Sequence, residues 1–238
     1  MWSGPPRRLP SSATGRIEVQ RIPLIRKATS VRRPAPLEKP DVVRLHAQKL
    51  PLIPVDVGAF SRVSHQDFPS VVHYGQGALY RFDDPQQEFG VLYAGNNYLT
   101  CVVESILRDE LRVNARPVYK SDLEERVIAT LAPATATMNL VDLTEAIGIG
   151  LDNQIATTPD YAISQAWSRA LYTHPEKPDG LLFVSRNYPK GLAIAVFKRA
   201  GERLKIEESP GSRTSLVKAA DYPAFLQLLR KNSIPLRR

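Results

Sequence analysis

The most informative part of the sequence is residues 79–105, which read LYRFDDPQQEFGVLYAGNNYLTCVVES. It begins with an Arg-Phe-Asp-Asp-Pro turn, since aspartate and proline both favour turns and proline restricts the residue before it. The apolar run at residues 90–94 then predicts a short buried strand that carries Tyr93. Apolar side chains recur at helical spacing over residues 98–111, so we expect a helix that carries Glu104 to follow the strand.

Strands and helices are interspersed through the rest of the chain. Strands are predicted at residues 55–63, 126–131, 138–141, 181–184, 192–197 and 203–207, and helices at residues 160–171 and 223–230. The elements lack the regular alternation of βαβ units. The pattern therefore predicts an α+β fold with a largely antiparallel or mixed sheet.

The net charge of +8 is confined to one end of the chain. Residues 1–50 contain eleven lysines and arginines against three acidic residues, whereas residues 51–238 contain twenty-one of each sign. The first segment also contains seven prolines, which disfavour long helices and central strands. We therefore divide the chain into a flexible basic arm, residues 1–50, and a catalytic domain, residues 51–238. Contact of the arm with a partner or with nucleic acid is the alternative interpretation.

Composition excludes several classes of protein. No apolar run approaches the roughly 18 residues of a membrane span, and no apolar run of signal-peptide type follows the basic start. The lone cysteine, Cys101, cannot form an intrachain disulfide, which favours a reducing cytoplasm. The four histidines are scattered, so no metal site is expected. Neither a dinucleotide-binding glycine motif, nor a P-loop, nor a nucleophile elbow occurs.

Two further short motifs belong with the central stretch. Upstream, Phe60-Ser61-Arg62-Val63 places an arginine on a strand, and downstream the run DGLLFVSR, residues 179–186, ends a strand on Ser185. Both motifs supply polar groups at strand ends.

This ordered set resembles the RES-domain family, named for its arginine, glutamate and serine. Arg62 corresponds to the first family arginine and Arg81 to the second, in the Arg-Phe-Asp-Asp-Pro turn. Tyr93 matches the tyrosine of Gly-Val-Leu-Tyr-Ala, Glu104 the helix glutamate and Ser185 the late serine. The resemblance implies catalytic roles for Glu104, Ser185 and Arg62, and NAD binding by Arg62, Arg81, Tyr93 and Ser185.

The resemblance covers about residues 55–200 and carries expectations for fold and function. It implies an ADP-ribosyltransferase-like fold, with a split mixed or antiparallel sheet that forms an NAD-sized cleft. It implies an enzyme that releases nicotinamide from NAD, with water or inorganic phosphate as acceptor and no bound cofactor. It also implies the toxin of a toxin–antitoxin pair, whose partner is an Xre-type antitoxin, acting in the cytoplasm without a membrane. Nucleic acid would be contacted through the antitoxin or weakly through the arm.

The residues themselves admit plainer interpretations. On the predicted helix Glu104 lies roughly 130° from the centre of the apolar stripe, which is typical of a solvated glutamate. Asp83 and Asp84 are available as ion-pair partners for nearby arginines. Tyr93 in an apolar strand is typical of a core residue, and Ser185 is compatible with a simple strand end. Cys101 is expected to be a buried structural thiol.

Two other functions remain open on the sequence. The nearer one is transfer of ADP-ribose from NAD to a protein or nucleic acid, because the same reactive sugar can be intercepted by another nucleophile. The more distant one is a non-enzymatic nucleic-acid-binding protein that acts through the basic arm.

Overall fold

The structure, a computed structural model, describes residues 37–107 and 117–238. One unit, Leu37–Arg238, contains all of them. The strands of the described chain are β1 Leu52–Asp56, β2 Ser61–His65, β3 Val91–Gly95, β4 Val118–Tyr119, β5 Arg126–Ala132, β6 Thr137–Asp142, β7 Gly180–Val184, β8 Leu192–Phe197, β9 Glu207–Glu208, β10 Thr214–Ser215 and β11 Leu236–Arg237. The helices are α1 Val42–His46, α2 Tyr98–Ser105, α3 Lys120–Glu124, α4 Gln154–Thr157, α5 Tyr161–Tyr172, α6 Lys198–Leu204 and α7 Tyr222–Lys231.

One large sheet organises the fold. Its strands lie in the order β1-β6-β7-β8-β3-β2-β5-β10, and β9 also pairs with β5. All neighbours are antiparallel except β6 and β7, which are parallel. The predicted α+β class with a mixed, largely antiparallel sheet is therefore confirmed. None of the helices in the two described ranges has the length and apolar character needed to cross a membrane.

The sheet is split between β2 and β3. These strands share only the pair Ser61 and Gly95, whereas β2 pairs with β5 over five residues and β3 with β8 over five. Beyond that pair the strands diverge, and Gly75 takes the place of β2 beside Val91 through two backbone hydrogen bonds of 2.9 and 3.0 Å. The divergence leaves a gap in the middle of the sheet.

Both faces of β3 are covered by apolar side chains. Val91 and Tyr93 contact one cluster, whereas Leu92 and Ala94 contact another on the opposite face. Because successive side chains of a strand alternate between faces, a strand buried on both sides reads as a continuous apolar run. This explains the run that the sequence shows at residues 90–94.

Local capping places α2 directly after β3. The Asn97 side chain accepts a hydrogen bond of 2.9 Å from the Thr100 amide and so begins the helix. Gly95 lies so close to this turn that a β-carbon there would sit 3.0 Å from the Cys101 backbone nitrogen. A larger residue would push the helix away from the end of the strand.

The folded unit includes part of the segment assigned to the basic arm. Leu45 on α1 and Leu50 are 2% and 3% exposed and belong to a core cluster, and the Trp167 indole donates a 2.8 Å hydrogen bond to the Glu38 carbonyl. Residues 37–50 therefore pack with the domain instead of extending from it. Residues 1–36 of the arm lie outside the described residues.

Three secondary-structure predictions differ from the structure. Residues 55–63 form the end of β1, a 3-10 turn at Val57–Ala59 and β2, because the chain turns where a β-carbon on Gly58 would lie 2.8 Å from Ala134. Residues 203–207 include the end of α6 and the start of β9. The predicted helix at residues 98–111 ends at Ser105, and its last residues lie outside the described ranges.

Candidate active site

A cavity of about 560 Å³ opens where β2 and β3 diverge. All five residues of β2 and most of β3 line it, together with the end of α2 and the start of α5. A further wall is the turn at residues 79–84, here called the arginine turn because it carries Arg81. Small-molecule and cofactor sites commonly occupy about 300–1,000 Å³. The cavity is therefore large enough for a nucleotide-sized ligand.

Asp83 holds the arginine turn in shape. One of its carboxylate oxygens accepts hydrogen bonds from the Leu79 and Tyr80 amides, at 3.0 and 2.9 Å. The other accepts a 2.9 Å hydrogen bond from the Tyr93 hydroxyl, which in turn accepts one of 2.9 Å from the Phe82 amide. Because Asp83 is 1% exposed, these bonds satisfy a carboxylate that has little access to water.

Asp84 fastens the same turn to α5. Its two oxygens accept hydrogen bonds of 2.9 and 3.0 Å from Arg169, whose guanidinium also reaches Glu88 at 2.6 Å. The Ser168 hydroxyl donates a 2.7 Å hydrogen bond to the Phe82 carbonyl. The two aspartates are thus committed to the turn, and neither pairs with the arginines of the cavity.

Arg62 and Arg81, the two arginines to which the resemblance gives NAD binding, both line the cavity. Arg62 donates a hydrogen bond to the His73 carbonyl, and Arg81 donates one to the Thr158 carbonyl and lies 4.8 Å from the centre of the Tyr161 ring. Burial lowers the pKa of both guanidinium groups. In the described part of the chain neither has a carboxylate at ion-pair distance, so both cations are available to an anionic ligand.

Glu104 and Ser185 are joined by a hydrogen bond beside the cavity. The Ser185 hydroxyl donates a 2.5 Å hydrogen bond to the Glu104 carboxylate and accepts one of 3.2 Å from the Tyr188 amide. Glu104 is half-buried and lines the cavity, whereas Ser185 is 1% exposed and lies behind it. The geometry makes Ser185 a residue that orients Glu104.

Tyr93 lines the cavity with its ring, while its hydroxyl is used by the arginine turn. The ring meets Tyr80 edge to face, with the ring centres 5.8 Å apart. Tyr93 therefore offers a ligand an aromatic surface, and its hydroxyl supports the wall that carries Arg81.

Several cavity residues have no counterpart among the sequence predictions. Arg126 at the start of β5 and Arg186 after Ser185 also line the cavity. Phe68 and His73 stand in parallel at its rim, with planes 10° apart and ring centres 6.5 Å apart. Arg186 directly follows the predicted serine, which is a signal that sequence reasoning could have used. Arg126 reaches the cavity only through strand pairing, which no local pattern reveals.

The charges that line the cavity are predominantly positive. Its arginines and carboxylates are Arg62, Arg81, Arg126, Arg186, Asp83 and Glu104. Among the residues that the structure describes, four cations thus face two anions, one of which is fully hydrogen-bonded within the arginine turn. A cavity of this charge suits an anionic ligand, and Glu104 is the carboxylate left to act on it.

Cys101 has the properties of a structural thiol. It is buried, and its sulfur lies 3.1 Å from the Ser61 carbonyl oxygen. Burial raises its pKa to about 12, so the thiol stays protonated near neutral pH. Within residues 37–107 and 117–238, no group of three or more histidine, cysteine, aspartate or glutamate side chains is arranged to hold a metal ion.

Comparison with known proteins identifies the domain. The RES domain matches residues 59–217 of the chain. The crystal structure of the M. tuberculosis MbcT–MbcA toxin–antitoxin complex contains a chain of similar fold, with a TM-score of 0.55 and 19% sequence identity over 80% of this chain and 96% of that chain. At this identity the likeness concerns the fold alone. No curated protein matches the sequence.

Proposed function

Because the chain belongs to the RES-domain family, we propose that it is an enzyme that degrades NAD and acts as the toxin of a toxin–antitoxin pair. NAD is the substrate in this proposal, and no bound cofactor takes part. The MbcT–MbcA complex, whose fold the chain resembles, is a toxin–antitoxin complex. The family and the content of the cavity support the same function.

The observation that carries the proposal is a carboxylate placed opposite arginines in one cavity. Cleavage of the bond between nicotinamide and ribose develops positive charge on the sugar, which a nearby carboxylate stabilises. The pyrophosphate of the same molecule carries negative charge, which guanidinium groups bind through paired hydrogen bonds. NAD requires both kinds of group a short distance apart.

The proposed reaction transfers the ADP-ribosyl group to a small acceptor. The bond between the ribose C1 atom and the nicotinamide nitrogen breaks, and its electron pair leaves with nicotinamide, which becomes neutral. An oxygen of inorganic phosphate or of water forms the new bond to C1. Phosphate yields a phosphorylated ADP-ribose, as in an NAD phosphorylase, and water yields ADP-ribose and a proton, as in a glycohydrolase.

Each predicted site residue receives a role in this reaction. Glu104 stabilises the cationic sugar, and Ser185 fixes the orientation of that carboxylate through the hydrogen bond between them. Arg62 and Arg81 bind the pyrophosphate. Tyr93 presents its ring to the nicotinamide or the ribose and supports the arginine turn through its hydroxyl.

Incubation of the purified full chain with NAD, with and without inorganic phosphate, tests the proposal. Nicotinamide release that needs phosphate and yields a phosphorylated ADP-ribose identifies a phosphorylase, and ADP-ribose in both samples identifies a glycohydrolase. Label from the adenylate of NAD on a protein or nucleic acid would identify an ADP-ribosyltransferase instead. Intact NAD in both samples, with protein free of any inhibitor, contradicts the proposal.

Replacement of Glu104 by glutamine tests the site within the same assay. The amide keeps the shape of the side chain but removes its charge, and loss of one such electrostatic group typically lowers the rate about 10²–10³-fold. Glu145→Gln is the matched control, because Glu145 is exposed and lies outside the cavity. Near-normal activity of Glu104→Gln would show that another group stabilises the sugar.

The partner we propose is an Xre-type antitoxin, a helix-turn-helix protein that blocks the cavity. An enzyme that drains NAD harms its own cytoplasm, so its activity requires restraint. Cells should stop growing and lose NAD when they express the chain alone, and co-expression of the neighbouring gene should relieve both effects. Harmless expression with unchanged cellular NAD would contradict the toxin proposal.

A further inference from the structure

Arg126 is an arginine in the cavity with no anionic partner in the described chain. It begins β5, and its side chain lines the cavity. Its Nε atom is buried and makes no hydrogen bond. A buried polar group without a partner costs free energy, more so when the group is charged. Arg126 is therefore a cation that is positioned to bind an anionic ligand in the cavity.

The acidic residues near Arg126 are engaged elsewhere. In the antiparallel pairing of β2 and β5, Arg126 lies opposite His65. His65 is within 3.3 Å of the Asp67 carboxylate and 3.5 Å of the Glu125 carboxylate, and the latter belongs to the residue that precedes Arg126. These carboxylates face the imidazole, so the guanidinium keeps an unneutralised charge.

Other arginines in the described ranges show how such a charge is usually satisfied in this fold. Arg169, Arg203 and Arg213 each contact a carboxylate at 2.6–3.0 Å. Arg199 donates to two backbone carbonyls and lies 4.1 Å from the centre of the Tyr172 ring. Arg126 has neither arrangement, which sets it apart from these structural arginines.

The register separates Arg126 from the arginine beside it. Arg62 lies opposite Ala129, so Arg126 is three residues farther along the paired strands. At about 3.4 Å per residue, the two backbone positions are about 10 Å apart along the strand direction. Because successive side chains of a strand alternate between faces, this odd offset also makes the two arginines project from opposite faces of the paired strands, and they reach the cavity from different sides of the split.

We propose that Arg126 binds a phosphoryl group other than the pyrophosphate assigned to Arg62 and Arg81. The fork of a guanidinium group matches two oxygens of a phosphate, and the partly buried setting of Arg126 strengthens that bond. Two sources supply this chemistry: inorganic phosphate that serves as the acceptor, and a phosphate ester carried by the dinucleotide itself, as in NADP. The inference rests on the proposed function.

The test compares the full chain with its Arg126→Gln variant, which keeps a polar, though shorter, side chain without charge. Binding is measured without turnover, as the rise in melting temperature caused by inorganic phosphate, by NAD and by NADP, against chloride at equal ionic strength. Arg230→Gln is the matched control, because Arg230 is exposed on α7 and lies outside the cavity. Arg126→Lys keeps the charge and checks that any loss is not a failure to fold.

Steady-state kinetics supply the second measurement. If the phosphoryl group is the acceptor, Arg126→Gln raises the KM for phosphate at least tenfold, leaves the KM for NAD within twofold, and loses the stabilisation by phosphate. If the group belongs to the dinucleotide, the variant loses the stabilisation and turnover given by NADP and keeps those given by NAD. Either result supports the assignment and names the source.

Other outcomes overturn it. If phosphate raises the melting temperature of Arg126→Gln as much as that of wild type, and NADP does so too, then Arg126 binds no such group. A rise confined to the KM for NAD places Arg126 in the pyrophosphate site instead. The melting measurements do not require turnover. A wild-type protein that is stabilised by phosphate but leaves NAD intact would therefore contradict the proposed function and leave the Arg126 site standing.

Discussion

Replacement of Tyr93 by phenylalanine removes one oxygen atom that joins two hydrogen bonds of the arginine turn. That oxygen donates to the Asp83 carboxylate and accepts from the Phe82 amide, each at 2.9 Å. Loss of a hydrogen bond to a charged group costs about 1.5–3 kcal/mol, and a buried amide left without an acceptor costs about 1–3 kcal/mol. Asp83 keeps its two backbone donors, and this reduces the first of the two costs. We therefore expect the free energy of unfolding to fall by about 2–4 kcal/mol in total.

Unfolding in urea and by heat measures this loss. For a chain of this size, about 1 kcal/mol corresponds to about 2–4 °C, so the melting temperature should fall by roughly 5–15 °C. The loosened turn carries Arg81, so we also expect the KM for NAD to rise roughly tenfold or more while kcat changes less. Tyr119→Phe is the matched control, because Tyr119 is 43% exposed and lies outside the cavity.

The double variant Tyr93→Phe with Asp83→Asn decides how the effect arises. Two residues that share a hydrogen bond should show effects that are smaller together than the sum of the single changes. An unchanged melting temperature with a reduced kcat would refute this reasoning. It would mean that the Tyr93 hydroxyl acts on the substrate and that the turn does not depend on it.

Four further predictions rest on contacts and burial in the described chain. Ser185→Ala should lower kcat for NAD cleavage about 10–100-fold with little change in KM, because Glu104 loses the bond that orients it; an unchanged kcat contradicts this. Iodoacetamide should label native Cys101 at pH 8 at least about 100-fold more slowly than the unfolded chain, as followed by mass spectrometry. Burial raises the pKa of this thiol from 9.0 in the unfolded chain to about 12 in the folded protein. Its contribution to stability is therefore complete below pH 9 and is lost as the pH rises towards 12. The urea concentration at the midpoint of unfolding should fall over that interval. The chain 51–238 should be much less stable in urea than the chain 37–238, because it lacks Leu45 and Leu50 and each buried leucine is worth about 2–5 kcal/mol; equal midpoints for the two would contradict the packing of α1.

The sequence predicts best those strands and helices whose own apolar spacing reflects which of their side chains are buried. The bounds of β8, Leu192–Phe197, agree with the predicted strand, and α5 begins after Asp160, whose side chain accepts a hydrogen bond from the Ala162 amide. The turn at Val57–Ala59 interrupts the predicted strand at Gly58, where the backbone lies so close to Ala134, which is distant in sequence, that a β-carbon would not fit. Such a contact leaves no periodic signal.

The order of the strands lies outside what local patterns contain. β2 is followed along the chain by β3 but shares one residue pair with it, whereas it pairs fully with β5. The split that creates the cavity follows from that exchange of neighbours. It was expected only because the motifs resembled a family with a split sheet.

Glu104 shows how a periodicity argument can describe a cavity residue and still misplace it. The helical stripe puts this glutamate on the polar side of α2, which is typical of a solvated residue. In the structure that side faces the cavity, where Glu104 is half-buried and bonded to Ser185. A cavity wall and an outer surface both require polar residues, so the pattern alone cannot tell them apart. The distinction came from the ordered motifs.

The positive charge of the cavity arises from the way the fold sorts charges that balance along the chain. Residues 51–238 contain equal numbers of acidic and basic residues, yet four arginines and two carboxylates are the charged side chains of the described residues that line the cavity, histidines aside. Two acidic residues that neighbour cavity residues in the sequence contact other partners: Asp84 pairs with Arg169, and Glu125 with His65. Each such pairing removes an anion that would otherwise neutralise a cavity arginine. An anion-binding site can therefore form in a domain with no net charge, provided that the carboxylates are held away from it as firmly as the arginines are held towards it.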